Sequence, residues 1–174
     1  MSSGARRDAA KQARTGPAGT VSPRQQTSRS CARSDVIISL CPPANAIEVA
    51  EAVATESFPG IYVDANAIAP ASMEQIGNLL MPSAAAVVDG AVVGSPPSET
   101  KRPRLYLSGP EEPAATVAQL FRGSAVQPFI LEGGIGKASA LKLAYTSYQK
   151  ASAYATTAWR RNSSTSPEAA RPAT

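Results

Sequence analysis

The chain has 174 residues, of which 43% are hydrophobic and only 5% aromatic, enough for about one domain with a small core rich in alanine and valine. It contains no histidine, which excludes Ser-His and Cys-His catalysis and every His-ligated metal site. The net charge of +4 divides unevenly, since residues 1–34 hold seven Lys and Arg against the single Asp8 and the remainder holds ten against twelve acids.

The basicity therefore belongs to the N-terminal tail, residues 1–34, which is expected to be disordered. Its Arg- and Ser-rich, acid-poor composition resembles an organellar transit peptide, and equally a plain extension or the product of a misplaced gene start. It has no aromatic residue on which bases would stack, so no nucleic-acid partner is expected. A cytoplasmic location is the first expectation, with mitochondria as the alternative. The two cysteines, Cys31 and Cys41, come with no signal peptide or paired CxxC motif, which predicts unpaired thiols in a reduced compartment.

From Asp35 the texture changes. "DVIISL" is a continuous β-branched apolar run, the pattern of a buried parallel strand. "CPPANAIEVAEAVATE" follows as a helix opened by prolines, with Ile47, Ala50, Val53 and Ala54 on one face. "GIYVDA" predicts the second strand. "APASMEQIGNLLM" predicts a helix starting near Pro70, with Ile76, Leu79 and Leu80 turned inward. "AAVVDGAVVGS" and "PRLYLSG" predict two strands separated by the polar, proline-containing "PPSETKR". A helix over "EEPAATVAQLF", a strand over "AVQPFIL" and a helix of some 25 residues from Lys137 to Arg161 complete the order. The last is longer than a usual globular helix, and Tyr148 and Trp159 on it are expected to be packing residues. No apolar run reaches the roughly 18 residues of a membrane span, and "AAAVVDGAVVG" carries Asp89 in its middle, so no membrane partner is expected. Strands alternating with helices predict an α/β fold with a parallel sheet and crossover connections.

The stretch "LEGGIGKASALKLAY", Leu131 to Tyr145, invites a phosphate-loop reading that counting removes. A P-loop needs a glycine five residues before the Gly-Lys pair and a Ser or Thr after the lysine, where this chain has Leu131 and Ala138. The dinucleotide fingerprint fits at Gly134 and Gly136, yet Ser139 stands at the third glycine. No acid follows between Glu132 and Glu168 to meet a ribose. Asp64 and Asp89, near the ends of apolar strands, suggest an acid pair, but without a third ligand no metal site is expected.

Four segments in order resemble the β-hydroxyacid dehydrogenase superfamily, which includes 3-hydroxyisobutyrate dehydrogenase and the NAD-binding domain of 6-phosphogluconate dehydrogenase. "DVIISLCPP" looks like its fourth strand, and "YVDANAIAP" sits where the family has D-x-S-T-x-x-P. "VVDGAVVGSPP" matches its D-A-P-V-S-G-G loop, and "GKASALKLAYTSYQK" its G-x-G-x-x-x-K helix. The wording is closest to the branch with a phosphogluconate-dehydrogenase-like putative C-terminal domain. The resemblance covers roughly Asp35 to Arg161.

This resemblance implies the second half of a Rossmann-like, doubly wound nucleotide-binding domain over residues 35–131. An interdomain helix would occupy 132–161 and a disordered tail 162–174. It implies NADP or NAD as cofactor, with Leu40, Cys41, Pro42 and Asn66 beside it. Asn66, Gly94, Ser95 and Thr146 would contact a small hydroxy acid or related carbonyl or imine substrate. Lys142 would be the catalytic acid/base, because oxidising a hydroxyl removes its proton as hydride leaves the adjacent carbon; apart from its register in the matched motif it reads equally as a solvated helix lysine. Leu141, Leu143 and Ala144 are expected to give the amine apolar surroundings. Asn66 replaces the family's serine, Ser95 its second glycine and Thr146 an asparagine, which leaves the substrate open. For Asn66 the alternative is a residue that ties down a turn before Pro70, and for Gly94 and Ser95 a strand-ending turn. Relative to the family the chain is expected to be truncated at both ends, without the glycine phosphate loop and without the helical domain through which members form homodimers. Two expectations follow: an NAD(P)-dependent oxidoreductase by descent whose own activity is doubtful, or a noncatalytic remnant or interaction module retaining part of the fold.

Overall fold

The computed structural model describes Cys31 and residues 33–163; the tails on either side lie outside the described residues. The elements are β1 (Val36–Ser39), a 3-10 turn (Pro43–Asn45), α1 (Ala46–Thr55), β2 (Ile61–Asp64), α2 (Pro70–Leu80), β3 (Ala86–Val93), β4 (Arg104–Ser108), α3 (Glu111–Leu120), β5 (Gln127–Ile130) and α4 (Lys137–Ser163). They build one five-stranded sheet in the order β1-β2-β3-β4-β5. Prolines open two of the helical segments, Pro43 in the 3-10 turn and Pro70 in α2, where a missing N–H removes no intrahelical bond.

The sheet is α/β and mostly parallel, with one departure from the sequence expectation. β1 pairs parallel with β2 and β2 with β3, but β3 pairs antiparallel with β4, and β4 then runs parallel to β5. The cause is the connection. Residues 94–103 contain no helix, and a parallel return needs a crossover of about a dozen residues or more, usually a helix. Because crossovers are right-handed, reversing the strand direction also changes the face on which the following helix lands. α1 and α2 cover one face, where Ala46, Ala50, Val53, Phe58, Tyr62, Met73, Ile76, Leu80 and Val87 form one core. α3 covers the other, where Val63, Val88, Leu105, Leu107, Ala114 and Val117 form a second. Each large side chain removed from water there contributes roughly 1.5–3 kcal/mol.

Two further expectations are corrected. "DVIISL" reads as a strand buried on both sides, yet Val36 and Ile37 are half-buried and Ile38 is exposed. Among the described residues β1 pairs only with β2, so one edge and part of a face lack neighbours. Tyr148 and Trp159 are 73% and 69% exposed, so neither belongs to a core. The C-terminal half of α4 extends beyond the sheet, and α4 packs on β3, β4 and α2 through its earlier turns. No helix among the described residues is long and apolar enough to cross a membrane.

Candidate functional site

The parallel strands β1, β2 and β3 end on one side of the sheet. In open α/β sheets ligands bind beyond the carboxyl ends of such strands. Ser39, Asp64 and Asp89 occupy equivalent register positions there, Ser39 opposite Asp64 and Asp64 opposite Asp89. All three are buried. A buried carboxylate must be met by donors, and each finds a different set.

Asp64 is met by Asn66. The Asn66 backbone N–H donates to one carboxylate oxygen at 3.0 Å and its side-chain amide to the other at 3.0 Å. The same amide donates to Ser39 Oγ at 3.1 Å, and Asn66 Oδ1 accepts the Cys41 backbone N–H at 2.6 Å. Both amide hydrogens are thus used, and the side chain, 4% exposed, locks the β1 turn to the end of β2. Burial pushes the Asp64 carboxyl above the usual aspartate range, the Asn66 hydrogen bonds pull it down, and the nearby Asp89 charge adds to the rise. Tyr62 is fully buried alongside, and its hydroxyl lies near Ser39 without good hydrogen-bond geometry.

β3 is twice as long as β2, eight residues against four, so its end runs past β2 and pairs only with β4. Lys142 reaches this overhang from α4: its Nζ donates to the Val92 carbonyl. Gly94, two residues further, has φ +123°, and a Cβ there would meet Pro103 Cα at 3.3 Å. That backbone suits glycine alone, and it leaves Gly94 and Ser95 exposed. Thr146, one helical turn past Lys142 on the same face, donates its hydroxyl back to the Lys142 carbonyl, as mid-helix threonines commonly do. The structure thus brings Lys142 to the end of β3, just before Gly94 and Ser95, while Thr146 is tied to its own helix.

The expected apolar wall around the amine is absent. Lys142 is half-buried, but Leu143 is 54% exposed and Ala144 is exposed. Residues one or two apart on a helix do not face each other, so Leu141, Leu143 and Ala144 surround the lysine in sequence and not in space.

Asp89 is the residue whose role the sequence reading missed. Its Oδ2 accepts the Gly136 N–H at 3.0 Å, the Ser139 N–H at 2.9 Å and the Ser108 hydroxyl at 3.1 Å, while Oδ1 accepts the Ser139 hydroxyl at 2.7 Å. Ser108 Oγ in turn accepts the Ala138 N–H at 3.0 Å. The first N–H groups of a helix have no intrahelical partner, and here strands β3 and β4 provide them for α4, with a negative charge where the helix dipole favours one. Two signals pointed to this. An aspartate within an apolar strand needs donors, and Ser139, read as a failed third glycine, is one of them. Among the described residues no three His, Cys, Asp or Glu side chains group as metal ligands.

The β1–α1 turn, "LCPPAN", is the place where this chain would meet a dinucleotide's phosphates. Pro42 and Pro43 have no N–H, that of Cys41 goes to Asn66, and that of Asn45 goes to the Pro42 carbonyl. This turn therefore offers no cradle for a pyrophosphate, which needs successive free N–H groups. The nicotinamide end fits better, since Leu40 extends from β1 with 71% of its surface exposed and offers an apolar face. Cys31 and Cys41 are both free thiols.

No family model and no curated protein matches the chain. Solved structures do. The conserved protein MTH1747 of unknown function, described as structurally similar to 3-hydroxyacid dehydrogenases, is 26% identical over 75% of this chain and 46% of its own, with a TM-score of 0.58. Mycobacterium tuberculosis 3-hydroxyisobutyrate dehydrogenase with L-serine is 16% identical over 68% and 41%, at 0.60. A reductive aminase from Aspergillus terreus, in complex with NADPH and ethyl-5-oxohexanoate, is 18% identical over 71% and 44%, at 0.61. The chain spans less than half the length of each of these proteins. In fold it is similar to the Rossmann-like part of 3-hydroxyacid dehydrogenase-like proteins and a reductive aminase.

Proposed function

We propose that this chain supplies the proton-transfer side of an NAD(P)-dependent oxidoreductase site for a small hydroxy acid or a related carbonyl or imine, with Lys142 as acid/base. The observation that carries the reading is the Lys142 amine at the overhanging end of β3, hydrogen-bonded to the Val92 carbonyl. A substrate oxygen or nitrogen seated against this overhang replaces that carbonyl as the amine's partner. The ammonium gives a proton to a carbonyl or imine being reduced, and the free amine takes one from a hydroxyl being oxidised. The backbone N–H groups of the exposed Gly94 and Ser95 receive an acidic group of the substrate, and Thr146 stands one helical turn past Lys142. The complexes of similar folds with L-serine and with NADPH and a keto ester support this choice of chemistry.

A bound nicotinamide supplies or accepts hydride; this chain's residues hold its nicotinamide end and move the proton. Leu40, Cys41, Pro42 and Asn66 form the cofactor edge. Asn66 acts there by positioning Cys41 rather than by reaching a ligand. The second reading, a noncatalytic remnant, is favoured by one observation, the proline-filled β1–α1 turn with no phosphate cradle.

Titrating NADPH and reduced nicotinamide mononucleotide, each followed by its own fluorescence, tests the assignment. The expected result is weak binding of both at similar affinity, because the described residues meet only the shared nicotinamide end. Binding of NADPH more than tenfold tighter than the mononucleotide contradicts that division of the site. Absence of binding by either at millimolar concentration favours the remnant.

A further inference from the structure

We infer that Asp89 is the positioning residue for Lys142, setting the height and rotation of α4 against β3 so that the lysine amine meets the end of that strand. The inference rests on the reading of Lys142 as the proton-transfer group and concerns a residue to which that reading gives no task.

The register shows how the device works. Ser139 and Lys142 are three residues apart on α4 and therefore share a face. Their partners Asp89 and Val92 are also three apart on β3. Three residues advance about 4.5 Å along a helix and about 10 Å along a strand. The lysine must therefore cover about 5 Å of axial difference, within reach of its four-carbon stem. One residue of slip between α4 and β3 changes this by about 1.5 Å and turns the lysine about 100° away. Asp89 opposes slip and rotation together, since its two oxygens hold backbone N–H groups of Gly136 and Ser139 and the Ser139 hydroxyl. Ser108 adds a second anchor from β4 through Ala138. Gly136, with φ +97°, lets the chain turn into the helix beneath the carboxylate.

The arrangement needs a carboxylate. Every partner of Asp89 is a donor, so Asp89→Asn, nearly the same size, places an NH2 group against N–H groups. Ser139→Ala removes one of the four bonds and leaves the carboxylate, a milder perturbation in case Asp89→Asn fails to fold. The readout is acetylation of Lys142 by a succinimidyl ester, quantified by peptide mass spectrometry relative to exposed Lys150 in the same chain. No cofactor or substrate is present, so the result stands whatever the fate of the oxidoreductase reading. In the unmodified protein Lys142 is expected to react more slowly than Lys150. Loss of one hydrogen bond's restraint should raise the Lys142 to Lys150 ratio on the order of threefold in Ser139→Ala, and further in Asp89→Asn. A purely structural Asp89 lowers the melting temperature and leaves that ratio unchanged. An unchanged ratio in folded Ser139→Ala overturns the inference.

Discussion

Asn66 joins the ends of β1 and β2, and its removal has a calculable consequence. In Asn66→Ala the Cys41 N–H loses its acceptor, the Ser39 hydroxyl loses one donor but keeps its contact with Cys41 Sγ, and Asp64 keeps one of its two Asn66 donors, the backbone N–H. Leaving one largely buried neutral donor unmet costs about 1 kcal/mol, and losing a bond to a charged acceptor about 1.5–3 kcal/mol. The expected loss is therefore about 2.5–4 kcal/mol, a large share of the roughly 5–15 kcal/mol that a domain has. With a urea dependence of about 2 kcal/mol per molar, the midpoint should fall by about 1–2 M in far-UV circular dichroism. Asn66→Asp separates the parts: it retains an acceptor for Cys41 but sets a second carboxylate against Asp64, so its cost should grow as pH rises. A loss in Asn66→Ala below about 0.5 kcal/mol refutes the reasoning, because the amide would then be free for a ligand.

Two further predictions concern the same buried layer. Asp64 has a raised pKa in the folded state, so between its unfolded and folded values the folded chain binds more protons and stability falls as pH rises. Its contribution is fullest below the unfolded value and is lost through the folded one; urea unfolding at pH 4 and pH 7 should show Asp64→Asn gaining on the unmodified chain at the higher pH, and a gap constant with pH would contradict this. Tyr62→Phe removes a buried hydroxyl that lies near Ser39 without good hydrogen-bond geometry and should hold or raise stability by up to about 1 kcal/mol, whereas a thermal melt showing a loss of that size would show that Ser39 bonds the hydroxyl.

Much of the architecture was legible because its signals are local. The period-2 and period-3.6 patterns, the prolines at Pro43 and Pro70 and the β-branched run at Val36 each act over a few residues. The direction of β4 was misread, because the alternation of strands and helices masked the one local sign against a parallel return, the absence of a helix in residues 94–103. The site was harder to read. Lys142 stood out through a resemblance and not through its neighbours, since its partner, the Val92 carbonyl, is fifty residues away in the chain. Asp89 and Ser139 are equally distant, so their pairing depends on how α4 lies on β3, a tertiary fact. Asn66 offers the same lesson: its identity suits both a ligand contact and a turn anchor, and only the three partners around its amide distinguish them.

The central claim, that Lys142 moves the proton, is tested most directly by NADPH consumption with small keto acids and cyclic imines at saturating substrate, comparing the unmodified chain with Lys142→Met and Lys150→Met. The account predicts slow turnover that Lys142→Met lowers by about 10²-fold or more and Lys150→Met leaves unchanged. Turnover equally fast in Lys142→Met contradicts it.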